Sequence, residues 1–445
     1  MDKYFINLLK CPFCGGIFLI DSIYNEAKSD VICGIIKCKC NEFPIIGGIL
    51  YLKFNSLTPI LLSLIKKGKS SDALLLLLRM NFDEVWAVLE FISNASHGTL
   101  INDFLIRSLV IWSKISRRYY LNNTLPLVKH LSTDSKSFYF KYRFSAESLW
   151  SLYPFIPLIR KKSRLILDLC CGMGHASFIL SRYIDAENFV CADHTFKNLY
   201  LAKNYFIKGA QFLCLDGNYS LPFKDDVFES VFMLDSLHYI KSRYRLATEL
   251  KRVSDPQGLI LLLHLHNSLS HNIGAGYPLS PREWSNLFES NDLIIRVIPE
   301  DLLIESFLSD DQIDFNQSYS ESSLDSANAI SLIAIRDQSL FDLKYKFEPN
   351  RLSGSCSLIL NPLYKLSVNN GKIFLVKETL NDFTKEYKIS NKFLPNTYEI
   401  DDNIGKLLGG GALSISLGEL DSSQLEVSND LVSKFILLVV PKNYM

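Results

Sequence analysis

Five residues in the second half of the chain have the types and spacing for proton transfer. They are Asp235 and His238 in Asp235-Ser236-Leu237-His238-Tyr239, His264 and His266 in Leu263-His264-Leu265-His266-Asn267, and His271 just beyond. An imidazole titrates near pH ~6.5, so a histidine can take a proton at neutral pH. Alternate residues of a strand share a face, so His264 and His266 are expected to point together. His238, His266 and Asp235 form the candidate catalytic set. Plainer uses exist for each: His238 could cap a neighbouring helix or bond to backbone, and a His-x-His pair would need further ligands to hold a metal.

A second group could hold a ligand. Leu165-Ile166-Leu167-Asp168-Leu169-Cys170-Cys171-Gly172-Met173-Gly174-His175-Ala176 reads as a short apolar strand, an acid, a glycine turn and a helix over 176–183. Gly172 and Gly174 let the backbone turn sharply and approach a ligand where a Cβ would obstruct. The helix start offers unpaired N–H groups and the positive end of its dipole. Dinucleotide enzymes hold a pyrophosphate with G-x-G-x-x-G at such a turn. Here Ser177 takes the third glycine position and Asp168 precedes the turn, which suits an amino-acid carboxylate and ammonium better than two phosphates. Phe189–Asp193 is a second strand ending in an acid, and Asp193 can accept hydrogen bonds from two vicinal ribose hydroxyls. Gln211–Gly217 carries a third strand and Asp216.

The first of these segments resembles motif I of the class I S-adenosylmethionine-dependent methyltransferases, D/E-x-G-x-G-x-G, with Cys170 in place of the first glycine. Leu221-Pro222-Phe223 and the strand Val227–Asp235 resemble that family's "LPF…FD-V" pattern, with Glu229 where Asp is usual. Other Rossmann-like sheets, nicotinamide enzymes included, also end strands in acids. The "LPF" segment and the acid before the turn favour the methyltransferases. The resemblance implies a cofactor site in which Asp168, Cys170, Gly172 and Gly174 meet the methionine part of S-adenosylmethionine. It implies Asp193 at the ribose, Asp216 with Gly217 near the adenine, and Leu234 beside them. It also places Asp235 to Tyr239 facing the methyl group.

Five of the ten cysteines fall in the first forty residues. Without an export signal, such clustering points to metal rather than disulfides. Cys11-Pro12-Phe13-Cys14-Gly15-Gly16 has the spacing of a zinc knuckle, in which two thiolates bind one Zn²⁺ and a glycine closes the turn. The second pair is Cys38 and Cys40, with Cys33 as an alternative to either. Together with Phe43-Pro44-Ile45-Ile46-Gly47-Gly48-Ile49, this segment resembles the zinc ribbon of the Trm-type methyltransferase activators. Its departures are the Cys-x-Cys pair, Gly47 for Asp and Leu50 for Pro. A structural Zn²⁺ on Cys11, Cys14, Cys38 and Cys40 is implied, since four protein ligands leave no open position.

The elements that must position these residues divide the chain into four expected domains: a zinc ribbon over 1–55, a helical segment over 56–138, a methyltransferase core over 139–336, and an accessory C-terminal module over 337–445. The expected class is α/β. It comprises a Rossmann-like seven-stranded methyltransferase core, an N-terminal zinc ribbon, a helical linker segment and a small C-terminal α+β module. Helices are expected at Pro59–Lys66, Ser71–Arg79, Phe82–Ile92, Ile101–Tyr120, Phe196–Ile207 and Lys241–Val253. Ser280-Pro281-Arg282-Glu283 reads as a capping box. A hairpin is expected where Asn369-Asn370-Gly371 joins Leu363–Val368 to Lys372–Lys377.

Hydrophobic residues make up 48% and charged residues 21%, a globular composition. Lys plus Arg and Asp plus Glu are equal at 47 each, so no global field draws in nucleic acid or acidic lipid. The basic residues Lys114, Arg117, Arg118, Arg160, Lys161, Lys162 and Arg164, interleaved with aromatics, could form an RNA face, but a cap over an apolar acceptor site is favoured. No apolar run approaches the ~18 residues of a membrane span, and a cytoplasmic protein is expected. The expected function is methyl transfer from S-adenosylmethionine to a small-molecule or peptide acceptor, with a protein partner or homo-oligomer possible. An RNA-modifying methyltransferase and a non-catalytic cofactor-binding scaffold are the alternatives.

Overall fold

The computed structural model describes residues 1–79, 140–270, 276–290, 292–309, 313–342, 352, 356–370, 372–378, 387–400 and 415–444. The helices expected at Phe82–Ile92 and Ile101–Tyr120, the basic residues 114, 117 and 118, and His271 lie outside them.

Most strands of the middle region are near-continuous apolar runs, as strands buried on both faces must be, while the edge strand of that region is half-buried. They are β5 (Ile166–Leu169), β6 (Phe189–Asp193), β7 (Gln211–Cys214), β8 (Phe228–Leu234), β9 (Ser254–His266), β10 (Ile294–Pro299) and β11 (Ala329–Ile335). Before them come β1 (Leu19–Ala27), β2 (Asp30–Lys37), β3 (Glu42–Ile46) and β4 (Ile49–Tyr51). All eleven form one sheet in the order β1-β2-β3-β4-β7-β6-β5-β8-β9-β11-β10. The sheet is thus larger than the seven strands expected of the core alone, and it is mixed. The cysteine-rich segment does not stand apart, because β4 pairs in parallel with β7, Tyr51 opposite Cys214. Gly47 and Gly48, at φ +60° and +75°, make the tight turn between β3 and β4. Strands β3 and β4 therefore form a hairpin.

Two hydrophobic layers cover the sheet. Successive strand residues point to opposite faces, so Phe189 and Cys191 enter one layer while Val190 and Ala192 enter the other. Helices Leu57–Lys66, Ser70–Arg79 and Phe196–Leu201 pack on the first face. Helix Arg243–Val253 packs on the second through Leu246, Ala247, Leu250 and Val253, a helical stripe opposite exposed Arg245 and Thr248. The helix expected at Phe196–Ile207 ends at Leu201 and continues as a π-turn over Ala202–Phe206. Residues 255–258 lie inside β9.

The C-terminal region holds β12 (Cys356–Leu360), β13 (Tyr364–Asn369), β14 (Lys372–Lys377), β15 (Thr397–Ile400), β16 (Ile415–Ser416) and β17 (Leu437–Pro441). They form two sheets of three strands, β16-β12-β17 and β13-β14-β15. The β13–β14 hairpin closes at Asn369 opposite Lys372, with Asn370 at φ +49° as its turn requires. Leu358, Leu375, Leu437 and Tyr444 join the same hydrophobic layer as the helices of the first face. Tyr444 is buried against Phe144 and His175, and its hydroxyl donates to the Phe140 carbonyl at 2.7 Å. Among the described residues no helix is long and apolar enough to cross a membrane.

Candidate functional site

Strand β5 has β6 on one side and β8 on the other, so the chain reverses its winding there. Ligands of open α/β sheets sit outside the strand carboxyl ends at such a switch point. The loops that follow β5, β6, β7, β8 and β9 converge on this place, and they carry most of the candidate residues.

At the end of β5, Cys170 has φ +63°, the left-handed conformation that a glycine adopts without cost. It stands where the resemblance puts the first glycine of the turn, in a conformation glycine would adopt freely. Gly172 follows at φ +55°, with nothing within 4 Å of where a Cβ would lie. Gly174 is also left-handed, at φ +82°, and serves packing as well: a Cβ there would meet the Ala202 methyl at 3.2 Å. The Gly172 amide donates to Asp193 Oδ2 at 2.9 Å and the Thr195 amide to Asp193 Oδ1 at 2.7 Å, tying the glycine turn to the end of β6. Asp168 accepts from the Ser177 hydroxyl at 2.5 Å. Burial raises the Asp168 carboxyl to about 7 against that hydrogen bond, and the neighbouring Asp193 charge adds to the rise. After β7, Asp216 Oδ1 accepts from both the backbone and side-chain nitrogens of Asn218 at 2.9 Å, and Gly217 packs against Ile240. Leu234 ends β8 and is buried.

The proton-transfer candidates meet at the ends of β8 and β9. Asp235 Oδ1 lies 3.8 Å from His238 Nε2 and 3.6 Å from His266 Nε2. The two imidazoles stack with centroids 3.8 Å apart. Asp235 has φ +53° and His264 φ +54°. Strained non-glycine residues of this kind gather at functional sites, where surrounding structure compensates the cost. His264 is also a β-bulge: Ile330 faces Leu265 and Leu332 faces Leu262, so β9 spends one extra residue. The extra residue resets the alternation, and Leu263 and Leu265 enter opposite layers. His264 and His266 therefore do not share a face by simple alternation. They still approach, with centroids 5.4 Å apart and rings at 79°. Gly276 covers His238, where a Cβ would sit 2.9 Å from its carbonyl oxygen.

Sequence reasoning missed two partners of this cluster. Glu300 is 4% exposed, and its Oε1 lies 2.5 Å from His264 Nδ1. Arg143 Nη1 lies 3.5 Å from Asp235 Oδ2 and donates to the Ser148 hydroxyl at 2.8 Å. Neither has a local signal: an acid in the first turn of a helix normally reads as a dipole partner, and Arg143 stands in an aromatic run. Burial pushes His264 down, but the Glu300 and Asp235 carboxylates outweigh it and hold His264 protonated up to about 9. Burial, with charge on His266 opposing it further, lowers His238 to about 3. His266 is lowered as well, by burial first and then by charge on His264. Asp235, His238 and His266 also have the donor atoms of a metal site, but Arg143 and protonated His264 place two positive charges beside them, which disfavours a cation. His175 does not reach this cluster; it is buried among Phe140, Phe144, Phe206 and Tyr444.

The ligand atoms of Cys11, Cys14, Cys38 and Cys40 all lie within 4.8 Å of one another. Sγ separations are 3.6 Å for Cys11–Cys40, 3.8 Å for Cys14–Cys38 and 3.4 Å for Cys38–Cys40. Four thiols so close suit a tetrahedral cation, since four thiolates alone would repel. Cys33 points elsewhere, into the layer with Leu57 and Leu61. The Gly16 amide draws the Cys14 thiol down to about 7, while burial raises Cys11 to about 11.

Residues 167–262 match the family model described as a methyltransferase domain. The match supports a class I S-adenosylmethionine-dependent methyltransferase. It spans the glycine turn, Asp193, Asp216, Asp235 and His238, and ends before His264, His266 and Glu300. No curated protein matches the chain. Similar solved structures include an S-adenosylmethionine-dependent methyltransferase from Aquifex aeolicus (15% identity, 44% of this chain and 95% of that one, TM-score 0.31). Another is the YcgJ protein of Bacillus subtilis (18% identity, 41% and 97%, TM-score 0.30). A third is a chain from the complex of the Haloferax volcanii Trm112 methyltransferase activator with a methyltransferase (14% identity, 39% and 82%, TM-score 0.30).

Proposed function

We propose that the chain transfers the methyl group of S-adenosylmethionine to a small-molecule or peptide acceptor carrying an O–H or N–H, with His266 as the base. The observation that carries this reading is the meeting of Asp235, His238 and His266 beside the glycine turn at the switch point. The bound cofactor would supply an electrophilic methyl group on a positively charged sulfur. Asp168, Cys170, Gly172 and Gly174 would hold its amino-acid end, Asp193 its ribose, and Asp216, Gly217 and Leu234 its adenine side.

Two neutral imidazoles are available, and their environments rank them. His238 is fully buried and pushed to about 3, too weak a base for work near neutral pH. His266 is the more exposed, lies closer to Asp235, and faces protonated His264. On taking a proton, His266 would be stabilised by the Asp235 carboxylate at 3.6 Å, with His238 fixing its plane by stacking. A positioned base contributes roughly 10²–10⁴ in rate, and alignment of the acceptor up to about 7–11 kcal/mol. The four thiols of Cys11, Cys14, Cys38 and Cys40 would hold a structural Zn²⁺ with no position open to substrate.

Calorimetry with S-adenosylmethionine and S-adenosylhomocysteine, followed by transfer of labelled methyl to a panel of small acceptors and peptides, tests the reading. Absence of binding by both nucleosides at micromolar concentrations would sink it. Binding without transfer to any acceptor would favour a scaffold. Methylated RNA, with RNA binding that weakens steeply in salt, would favour the RNA alternative.

A further inference from the structure

Lys53 follows β4 and is only 6% exposed. A buried ammonium is costly unless opposite charge faces it, so its surroundings matter. Strand β4 runs parallel to β7, Tyr51 opposite Cys214, and the Leu52 amide donates to the Cys214 carbonyl at 2.8 Å. Continuing that register brings Lys53 beside Asp216. Because the pairing is parallel, the carboxyl end of β4 lies at the same edge of the sheet as those of β6 and β7. An antiparallel β4 would have sent Lys53 to the opposite end. The backbone there is pinned: the Thr58 hydroxyl donates to the Lys53 carbonyl at 2.5 Å, and Asn55 bonds both Tyr51 and the Thr58 amide. Burial disfavours the Lys53 ammonium, and the Cys214 thiol, Asp216 and Asp193 oppose it; His194 also faces Lys53, its imidazole lowered to about 4 by burial first and then by the Lys53 charge.

We propose that Lys53, delivered by the cysteine-rich segment, completes the adenosine end of the cofactor site as the buried positive charge placed beside Asp193 and Asp216, the hydrogen-bond acceptors for the nucleoside. The role rests on the cofactor reading above. Lys53 is a positioning residue acting through the two carboxylates, and the extension of the sheet by β4 thereby gains a function beyond support. Asp193 is the sensitive partner. Burial raises its carboxyl, and the Thr195 and Gly172 amides, Lys53 and Asn198 oppose the rise. Asp168 and the thiols of Cys170, Cys171 and Cys214 also interact with its charge. Among these groups Lys53 is the one cation. Removing it lets Asp193 take up a proton at higher pH, and a protonated Asp193 accepts fewer ribose hydroxyl bonds.

The test is calorimetry of the full chain with S-adenosylhomocysteine and with 5′-methylthioadenosine, which lacks the amino-acid end, from about pH 5 to about pH 9. Lys53→Met should weaken both ligands about tenfold at neutral pH, because Asp193 loses the cation that opposes its protonation. The deficit should shrink toward the alkaline end, where Asp193 ionises unaided. Lys53→Arg, which keeps the charge, should stay within about threefold of wild type. Equal binding by Lys53→Met and wild type overturns the proposal, as does a deficit of the same factor at every pH. Should the Met variant not fold, Lys53→Gln replaces it under the same criteria. An arginine variant with unchanged melting temperature but tenfold weaker binding also overturns it. If wild type binds neither ligand, the cofactor reading itself falls; if wild type binds and Lys53→Met matches it, only the role of Lys53 falls.

Discussion

The imidazoles of His238 and His266 lie face to face, 3.8 Å between centroids and 13° between planes. Two cationic rings could not rest at that separation, so the stack requires at least one neutral ring, and burial of His238 makes that ring neutral. His266, the more exposed partner, is left to exchange protons.

His266→Ala should therefore lower kcat by about 10²–10⁴ with S-adenosylhomocysteine affinity within about threefold of wild type. His238→Ala should cost less, about tenfold to a hundredfold, through lost orientation of His266. Steady-state rates and calorimetry on both variants check this. Unchanged turnover in His266→Ala would remove it as the base.

Stability should depend on pH from both sides. His238 and His175 are held neutral by burial, below the unfolded value near ~6.5. Between those values the unfolded chain binds more protons, so stability is lost as pH falls below about 6.5. His264 has the opposite sign: raised to about 9 by Glu300 and Asp235 against burial, its contribution is full below about 6.5 and is lost as pH rises through about 9. Melting temperature against pH should show both limbs, and Glu300→Gln should flatten the alkaline one. A Glu300→Gln curve that overlays wild type above about pH 8 would contradict the pair.

The purified protein should carry about one zinc per chain. Cys11→Ser and Cys38→Ser should lose it and melt lower, whereas Cys33→Ser, buried beside Leu57 and Leu61, should retain it. Metal analysis of the three variants decides the ligand set. Loss of zinc from Cys33→Ser at unchanged melting temperature would contradict the grouping of the other four.

Cys170 should tolerate glycine and reject a β-branched residue. Cys170→Gly relieves the left-handed strain but frees the unfolded chain, leaving a net change within about 1 kcal/mol. Cys170→Val should lose about 1–3 kcal/mol. Denaturant unfolding measures both, and equal stability of the two variants would count against strain at this turn.

Tyr444 ties the C-terminal region to the helix that follows the glycine turn. Tyr444→Phe should lose about 1 kcal/mol with the hydrogen bond to Phe140, and Tyr444→Ala about 3–5 kcal/mol with the ring. A Tyr444→Ala variant with wild-type stability would mean that the C-terminal region folds independently.

Whatever is local in the chain could be read from residue order. Apolar runs ending in Asp168, Asp193 and Asp216, the glycines between them, the Cys-x-x-Cys turn, the Ser280–Glu283 capping box and the β13–β14 hairpin each depend on neighbours a few residues apart. Backbone sterics and local hydrogen bonding act over that range. Glu300 meets His264 across 36 residues and Arg143 meets Asp235 across 92. Such contacts follow from how helices dock on the sheet, which no short window contains. The bulge at His264 arises from the register of β9 against β11, so a rule of alternation along one strand misplaced it. Cys33 likewise lies inside β2 and enters a core layer, whereas Cys38 and Cys40 lie in the turn beyond it, near Cys11 and Cys14. Residue order placed the acids, the glycines and the cysteines; the parallel docking of β4 on β7 decided that Lys53 would stand among those acids, because strand direction determines which end of a sheet a residue reaches.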